Sequence, residues 1–139
     1  MMITFKLKLI APDGVKYESD AEEVTLPTAD GQITILPNHM PLIALLKPGG
    51  IVIKNGSKSE ELATEGGVVE VSANEVKILA DTAEEASSLD ELKIVEAKKA
   101  AETRLSQAKD EVEFTEAAAL LEKQLAKLSI LERRKKKYR

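Results

Sequence analysis

The chain has 139 residues and contains no cysteine, no tryptophan and only one histidine. Without cysteine it forms no disulfide, no thiolate nucleophile and no cysteine-ligated zinc site. A single histidine also excludes a histidine-rich metal centre. The N-terminal residues MMITFKLKLI lack the layout of a secretory signal, and no apolar run reaches the length of a membrane span. We therefore expect a cytosolic protein, or one that meets a membrane only through a partner.

Glycine and proline are absent after residue 86, although the first 86 residues hold all seven glycines and all five prolines. The balance of acidic and basic residues also changes near residue 87. Residues 1–87 carry 7 basic and 14 acidic side chains (net −7), whereas residues 88–139 carry 13 basic and 10 acidic (net +3). Such asymmetry indicates two parts in different surroundings. We predict one domain over residues 1–85 and a second over residues 86–139.

Apolar residues in the first part recur with a period of two, which predicts half-buried strands. Ile3, Phe5, Leu7 and Leu9 alternate with polar residues, and Asn55-Gly56 is predicted to form the turn of a hairpin. Eight to ten short strands at this spacing favour a β-sandwich or a barrel. The further candidate strands are 15–18, 23–26, 31–35, 42–46, 51–54, 61–64, 68–71 and 76–80.

The second part is rich in alanine, leucine, glutamate and lysine, and it predicts an antiparallel helical hairpin. Ser88 with Glu91, and Asp110 with Glu113, are each spaced as a capping box at a helix start. Few large apolar side chains are available, so we expect the hairpin to need a surface on which to dock. The two predicted apolar stripes are Ile94, Ala97, Ala101, Leu105, Ala108, Val112 and then Phe114, Ala118, Leu121, Leu125, Leu128, Leu131.

Catalytic chemistry has little support in the sequence. His39 lies in ITILPNHMPLIALLKPGG, where a catalytic base, a metal ligand and a turn residue are the three alternatives. No Walker-type phosphate loop occurs, and no serine is placed to complete a triad with His39. We therefore predict no catalytic residue and no metal site, and a protein that is not an enzyme.

The chain ends in a basic segment, Arg133 to Arg139, with six basic residues in seven. Cations at the end of a helix are favoured by the helix dipole, which is one interpretation. Attraction to an acidic protein surface is the other. Tyr138 is the only aromatic residue of the segment, so base stacking and a nucleic-acid partner are not expected.

Two motifs resemble those of a known family. DGQITILPNHMPL, at residues 30–42, is similar to the G-E-x-G-I-L-P-x-H-x-P-L signature of the epsilon subunit of bacterial F-type ATP synthase. GGVVEV at residues 66–71, followed by VKILADTA at residues 76–83, resembles that family's S-G-G-x-x-E-V and V-T-V-L-A-D-x-A segments. Together with the two-part layout, the resemblance covers essentially the whole chain.

The resemblance implies a non-catalytic central-stalk subunit of F1 at the cytoplasmic face of a bacterial membrane. Its sandwich would bind the gamma subunit and the ring of c subunits, and so couple proton-driven rotation to the catalytic head. Its C-terminal hairpin would extend into the head, meet the C-terminal region of the beta and alpha subunits, and inhibit ATP hydrolysis. Membrane contact would arise only through the complex.

The resemblance also assigns candidate contact residues. Asp30, Gly31, Gln32 and His39 would meet the c ring or gamma, although Gln32 stands where the family usually has glutamate. A hydrogen bond survives that change but an ion pair does not, and Asp30 would compensate in part. The candidates for contact with the catalytic head are four cations of the hairpin: Lys123, Lys127, Arg133 and Arg134.

A regulatory ATP site occurs in some members of the family, through an [IL]-D-x-x-R-A motif. The matching residues here are LDELKI, which keep Asp90 but place Lys93 where arginine stands and Ile94 where alanine stands. Lysine lacks the planar fork with which arginine holds phosphate. We expect ATP binding that is weak or absent, and no required cofactor. The alternative to the stalk role is a free-standing sandwich module that dimerises through its hairpin.

Overall fold

A computed structural model of the chain describes residues 3–137, so Met1, Met2, Tyr138 and Arg139, with the end of the basic segment, lie outside it. The chain forms two compact units, Met1–Glu85 and Ala86–Arg139. The first is a curled β-sandwich and the second a helical hairpin, so the predicted fold class is confirmed. The strands are β1 Phe5–Ala11, β2 Gly14–Ala21, β3 Glu23–Thr28, β4 Gly31–Ile35, β5 Leu42–Leu46, β6 Gly49–Asn55, β7 Lys58–Thr64, β8 Gly67–Ser72, β9 Glu75–Ala80 and β10 Glu84–Glu85; the helices are α1 Glu91–Ser106 and α2 Glu111–Lys137.

The strands form one hydrogen-bonded sheet in the order β10-β7-β6-β3-β5-β8-β9-β1-β2, with β4 paired to β3. All pairs are antiparallel except β1 with β9, which run parallel. The period-two pattern places alternate side chains of these strands in one core. Its fully buried members include Leu9, Val24, Leu26, Ile51, Val69 and Ile78.

Tight turns connect most neighbouring strands, and one of them corrects the sequence prediction. Asn55 pairs with Lys58 across the β6–β7 hairpin, so the two loop residues are Gly56 and Ser57, not Asn55 and Gly56. Of these two loop residues, only Gly56 has positive φ, at 65°. This two-residue turn needs positive φ at its first loop position, which glycine adopts readily, so Asn55 is the last residue of β6. Likewise β1 begins at Phe5, so Ile3 precedes the strand to which its alternation assigned it.

Helix α1 begins at Glu91 and is capped by Asp90, not by Ser88 as the capping-box spacing predicted. Asp90 has extended backbone angles, and its Oδ1 accepts hydrogen bonds from the backbone N–H groups of Leu92 (3.1 Å) and Lys93 (3.4 Å). Ser88 instead ends a 3-10 turn, Ala86–Ser88. The negative charge of Asp90 also interacts favourably with the positive end of the helix dipole, which adds to the effect of the cap.

The two helices are antiparallel, as ion pairs at both ends of the hairpin show. Glu91 at the start of α1 pairs with Lys135 near the end of α2 (2.9 Å), and Arg104 pairs with Glu116 (3.9 Å). The predicted cap on α2 is present: Asp110 Oδ1 accepts from the N–H of Glu113 (2.8 Å). Glu113 returns a bond to the N–H of Lys109 (2.9 Å), one residue before the usual position in a capping box.

Burial within the hairpin follows the first predicted stripe better than the second. Ile94 and Ala101 are buried on α1, and Ala117 and Ile130 on α2. Three predicted stripe residues are instead exposed, namely Val112, Phe114 and Leu125. The buried face of α2 is therefore rotated about the helix axis relative to the predicted apolar stripe.

Candidate functional site

An apolar row crosses the outer face of the sandwich on five adjacent strands. Leu45 of β5 lies opposite Val68 of β8, which lies opposite Leu79 of β9. Leu79 pairs in turn with Ile10 of β1, and Ile10 with Val15 of β2. The side chains of Leu45, Leu79 and Val15 are 64%, 51% and 54% exposed, while Val68 and Ile10 are half-buried. A contiguous exposed apolar strip of this kind is typical of a protein–protein contact.

A mostly charged row lies beside the apolar row, two residues along β5, β8, β9 and β1 and three residues along β2, where the register with β1 shifts. It runs from Ile43, which is 73% exposed, through Glu70, Lys77 and Lys8 to Glu18. The Nζ of Lys8 lies 3.2 Å from a carboxylate oxygen of Glu18. This face thus combines apolar area with both signs of charge, which are the ingredients of a specific docking surface.

Asp30, Gly31 and Gln32 lie at the tight turn from β3 into β4, where Ala29 and Asp30 connect the strands and Gly31 and Gln32 begin β4. Thr28 and Gly31 are paired residues, and the Thr28 hydroxyl donates to the Gly31 carbonyl. Gly31 has φ of 122°, so the turn needs a residue without a side chain at this position. Asp30 and Gln32 are exposed, and are thereby available to a partner.

His39 lies on a different loop, between β4 and β5, and is half-buried there. Its Nδ1 is 2.7 Å from the carbonyl oxygen of Met40, which identifies Nδ1 as the donor. Asn38 before it has φ of 63°, so the loop turns sharply at this point. This geometry fits the turn-residue alternative for His39. Within residues 3–137, no group of three or more His, Cys, Asp or Glu side chains is placed to hold a metal ion.

Of the four candidate contact cations in the hairpin, three share one face of α2. Lys123, Lys127 and Arg134 follow the spacing of buried Ile130, and all three are half-buried. Arg133 is exposed and lies about 100° round the helix from Arg134. These four cations were predicted to act together, but only Lys123, Lys127 and Arg134 lie on the same face of α2.

The candidate nucleotide residues, Asp90 and Lys93, lie in the first turn of α1. The Asp90 carboxylate is engaged in capping that helix, and it bonds to the N–H of Lys93 itself. The side chain of Lys93 is exposed. This arrangement assigns Asp90 a structural role.

A cleft of about 530 Å³ opens among β2, β6 and β7, with Tyr17, Asn55 and Glu60 in its lining. Burial raises the pKa of the Glu60 carboxyl, and repulsion from Glu85 of β10 raises it further. Burial, followed by the negative charge of Glu60, raises the pKa of the Tyr17 phenol. The Tyr17 hydroxyl donates to the Asp20 carbonyl at 3.0 Å. These are structural polar groups with destabilised charged forms.

The first unit is a β-sandwich of the delta/epsilon type. Residues 4–86 match the family described as ATP synthase, Delta/Epsilon chain, beta-sandwich domain. The chain is 37% identical over 133 residues to the ATP synthase epsilon chain of Acidithiobacillus ferridurans, covering 96% of this chain and 94% of that one. It is 47% identical over 104 residues to the epsilon chain of Desulfitobacterium hafniense strain Y51, covering 75% and 79%. The chain therefore belongs to the ATP synthase epsilon chain family.

Solved structures agree on the fold. A chain of the Euglena gracilis mitochondrial ATP synthase, solved with OSCP, F1 and the c ring, aligns with a TM-score of 0.83 at 23% identity, over 92% of this chain and 81% of that one. A chain of the Tetrahymena thermophila central stalk and c ring aligns with a TM-score of 0.54 at 22% identity, over 81% and 94%. No helix within residues 3–137 has the length and apolar character that crossing a membrane requires.

The apolar row is the feature that sequence reasoning missed. Its signal lies in β5, where LIALL is apolar at every position although only alternate side chains enter the core. An uninterrupted apolar strand in an antiparallel sheet must expose one of its apolar faces if that face has no covering layer. The row itself depends on the pairing of β5, β8, β9 and β1, which no local pattern reveals.

Proposed function

We propose that this chain is a non-catalytic rotor subunit of a bacterial F-type ATP synthase, at the cytoplasmic face of the membrane. It couples rotation of the c ring to the catalytic head through the gamma subunit, and its C-terminal hairpin moves to inhibit ATP hydrolysis. Family membership supports the assembly, and the exposed apolar row is the observation that carries the docking role.

Gamma is the proposed occupant of the apolar row. Leu45, Leu79 and Val15 each leave more than half of the side chain exposed, so covering the row removes a large apolar area from water. The Asp30–Gln32 turn is proposed to contact the c ring, and His39 to support the adjoining interface. Gln32 and Asp30 are exposed there and offer hydrogen bonds and one negative charge.

The hairpin is proposed as the inhibitory element. It is a separate compact unit whose helices bury few side chains, which favours a segment that can change its surroundings. Lys123, Lys127 and Arg134 form its cationic face, with Arg133 beside them. These cations suit the acidic C-terminal region of a beta subunit, since opposite charges steer such encounters.

Docking is tested by measuring binding of the full chain to F1 depleted of this subunit. Leu45→Asp should weaken binding at least tenfold, because a charge in an apolar contact costs much more than 1.4 kcal/mol when unpaired. Val112→Asp is the matched control, since Val112 is equally exposed (66%) but lies in the hairpin. Equal binding by wild type and Leu45→Asp would exclude the apolar row as the docking surface.

Inhibition is tested by deleting residues 88–139 from the chain in the reconstituted complex. The proposal expects faster ATP hydrolysis with the truncated chain than with the full chain. Charge removal at Lys123, Lys127 and Arg134 should raise hydrolysis in the same direction. Unchanged hydrolysis after truncation would remove the inhibitory role while leaving coupling in place.

ATP binding is proposed to be weak or absent. Asp90 is already committed to the α1 cap, and Lys93 cannot make the two parallel bonds to phosphate that arginine makes. Isothermal titration of the full chain with ATP checks this. Micromolar or tighter binding would contradict it.

A further inference from the structure

Two lysines lie directly opposite each other at the centre of the charged row. Lys8 of β1 and Lys77 of β9 are cross-strand partners in the parallel pair, so their side chains leave the same face of the sheet side by side. Like charges placed directly opposite destabilise a sheet. The pairing therefore does not serve the stability of the sandwich.

The neighbours of this pair neutralise one lysine more fully than the other. Lys8 forms an ion pair with Glu18 at 3.2 Å. Lys77 lies opposite Glu70 in the register of β8 and β9, but within residues 3–137 no ion pair joins these two side chains. Lys77 and Glu70 are both exposed. The ammonium group of Lys77 is thus available to an incoming anion.

The charged row is continuous with the apolar row. Lys77 is two residues from Leu79 on β9, and Lys8 is two residues from Ile10 on β1, so each lysine adjoins a member of the apolar row on the same face. A partner that covers Leu79 and Ile10 and extends two residues further along these strands also covers Lys77 and Lys8. Lys8 keeps its ion pair with Glu18, but Lys77 would lose hydration without gaining a partner unless the incoming protein supplied a negative charge.

We propose that Lys77, assisted by Lys8, receives a carboxylate of the gamma subunit when gamma docks on the apolar row. This rests on the proposed function and adds the chemistry that selects the partner. The proposed contact is confined to the surroundings of Lys77, because this face as a whole is not positively charged. Its acidic side chains outnumber its lysines: they are Glu18, Asp20, Glu70 and Glu75. An anionic lipid surface or a nucleic acid brings many negative charges over a sandwich of charge −7, so it meets far more repulsion than one carboxylate placed beside Lys77.

The test measures association and dissociation rates of the full chain with F1 depleted of this subunit, at several salt concentrations. Lys77→Gln should weaken binding about tenfold at low salt, mainly by slowing association, and should flatten the salt dependence. Lys77→Glu should weaken binding further. Lys58→Gln is the matched control, because it removes the same charge from the exposed start of β7, outside both rows. Circular dichroism checks that each variant is folded.

The outcomes separate the two proposals. If wild type binds, Leu45→Asp does not, and Lys77→Gln matches wild type at every salt concentration, then the carboxylate contact is wrong and the docking surface stands. If Lys58→Gln weakens binding as much as Lys77→Gln, the effect is one of net charge, and the contact is again wrong. If wild type does not bind at all, the docking role itself fails, and the inference fails with it.

Discussion

At Gly67 the backbone of β8 leaves no room for a side chain. Its φ is 146°, and an added Cβ would lie 2.2 Å from the carbonyl oxygen of Leu79 and 2.9 Å from the Cα of Ala80. We expect Gly67→Ala to lower the free energy of unfolding by about 3 kcal/mol or more, since backbone strain and a backbone clash combine. Urea unfolding followed by circular dichroism measures the loss.

Gly14→Ala is the control for backbone strain alone. Gly14 has φ of 134°, close to that of Gly67, but a Cβ there would have no heavy atom within 4 Å. We expect a loss of about 1–2 kcal/mol. Equal losses at the two positions would mean that the approach of β8 to β9 contributes nothing beyond conformation.

Glu60 predicts a pH dependence of sandwich stability. Burial and then Glu85 raise its pKa above the ordinary 4.5, so the folded state holds the Glu60 proton more tightly than the unfolded state does. The resulting stability is fully present below pH 4.5 and is lost as pH rises through the folded pKa. Glu60→Gln should therefore raise the free energy of unfolding at pH 7 and have no such effect near pH 4.

The measurement is a series of urea unfolding curves from pH 4 to pH 7 for the wild type and the Glu60→Gln variant. Glu85→Gln provides a second check, because removing that charge should lower the pKa of Glu60 and shrink the benefit of Glu60→Gln. A destabilising Glu60→Gln variant at pH 7, or a benefit that does not change with pH, would contradict the assignment.

At the scale of elements, the first turn of α1 depends on one side chain. Asp90→Ala removes the acceptor for the N–H groups of Leu92 and Lys93 and should cost about 1 kcal/mol. Exchange of these two amides should become about fivefold faster, as seen by NMR. Ser88→Ala should leave them unchanged, because Ser88 lies outside the cap. A reversed order of effects would restore Ser88 as the N-cap.

The elements themselves were largely predictable because their patterns are local. The period-two alternation from Phe5 to Leu9 and the absence of glycine and proline after residue 86 both act over a few residues, and both predictions were correct in type. Caps and turns were less predictable. Ser88 and Asp90 are equally plausible N-caps by composition, and only the chain path through the 3-10 turn decides between them.

The facing of α2 was not predictable from its composition. Leucine recurs so often between residues 120 and 131 that several helical faces look apolar. Packing selected the face of Ala117 and Ile130, because a small side chain lets two helices approach, and it left Phe114 and Leu125 exposed. Lys123, Lys127 and Arg134 lie on the same face of α2 as Ile130.

At the scale of the whole molecule, the surface that carries the proposed docking has members far apart in sequence. Ile10 and Leu79 meet because β1 and β9 pair in parallel across most of the sandwich sequence. A motif such as ILPNHMPL identifies the family but states no such pairing. The family was therefore accessible from sequence, whereas the apolar row and the lysine pair required the three-dimensional register.

The two units should differ in local stability within the intact chain. The sandwich has a continuous core of fully buried large side chains such as Leu9, Ile51 and Ile78, whereas the helices bury only Ile94, Ala101, Ala117 and Ile130. Since amides open at a free energy set by the burial around them, we expect hairpin amides to exchange at least tenfold faster than those of β8 and β9. Hydrogen exchange with mass spectrometry on the full chain measures this.

Ile130→Ala sharpens that comparison, because Ile94 and Ile130 are the two large buried side chains of α1 and α2 and this change truncates one of them. Truncating a buried isoleucine costs about 2–5 kcal/mol, so exchange throughout α1 and α2 should accelerate strongly. Leu125→Ala is the matched control on the same helix, since Leu125 is 46% exposed and its loss should change exchange little. Uniform protection of hairpin and sandwich in the wild type, or equal effects of the two variants, would argue against a hairpin that moves while the sandwich stays folded.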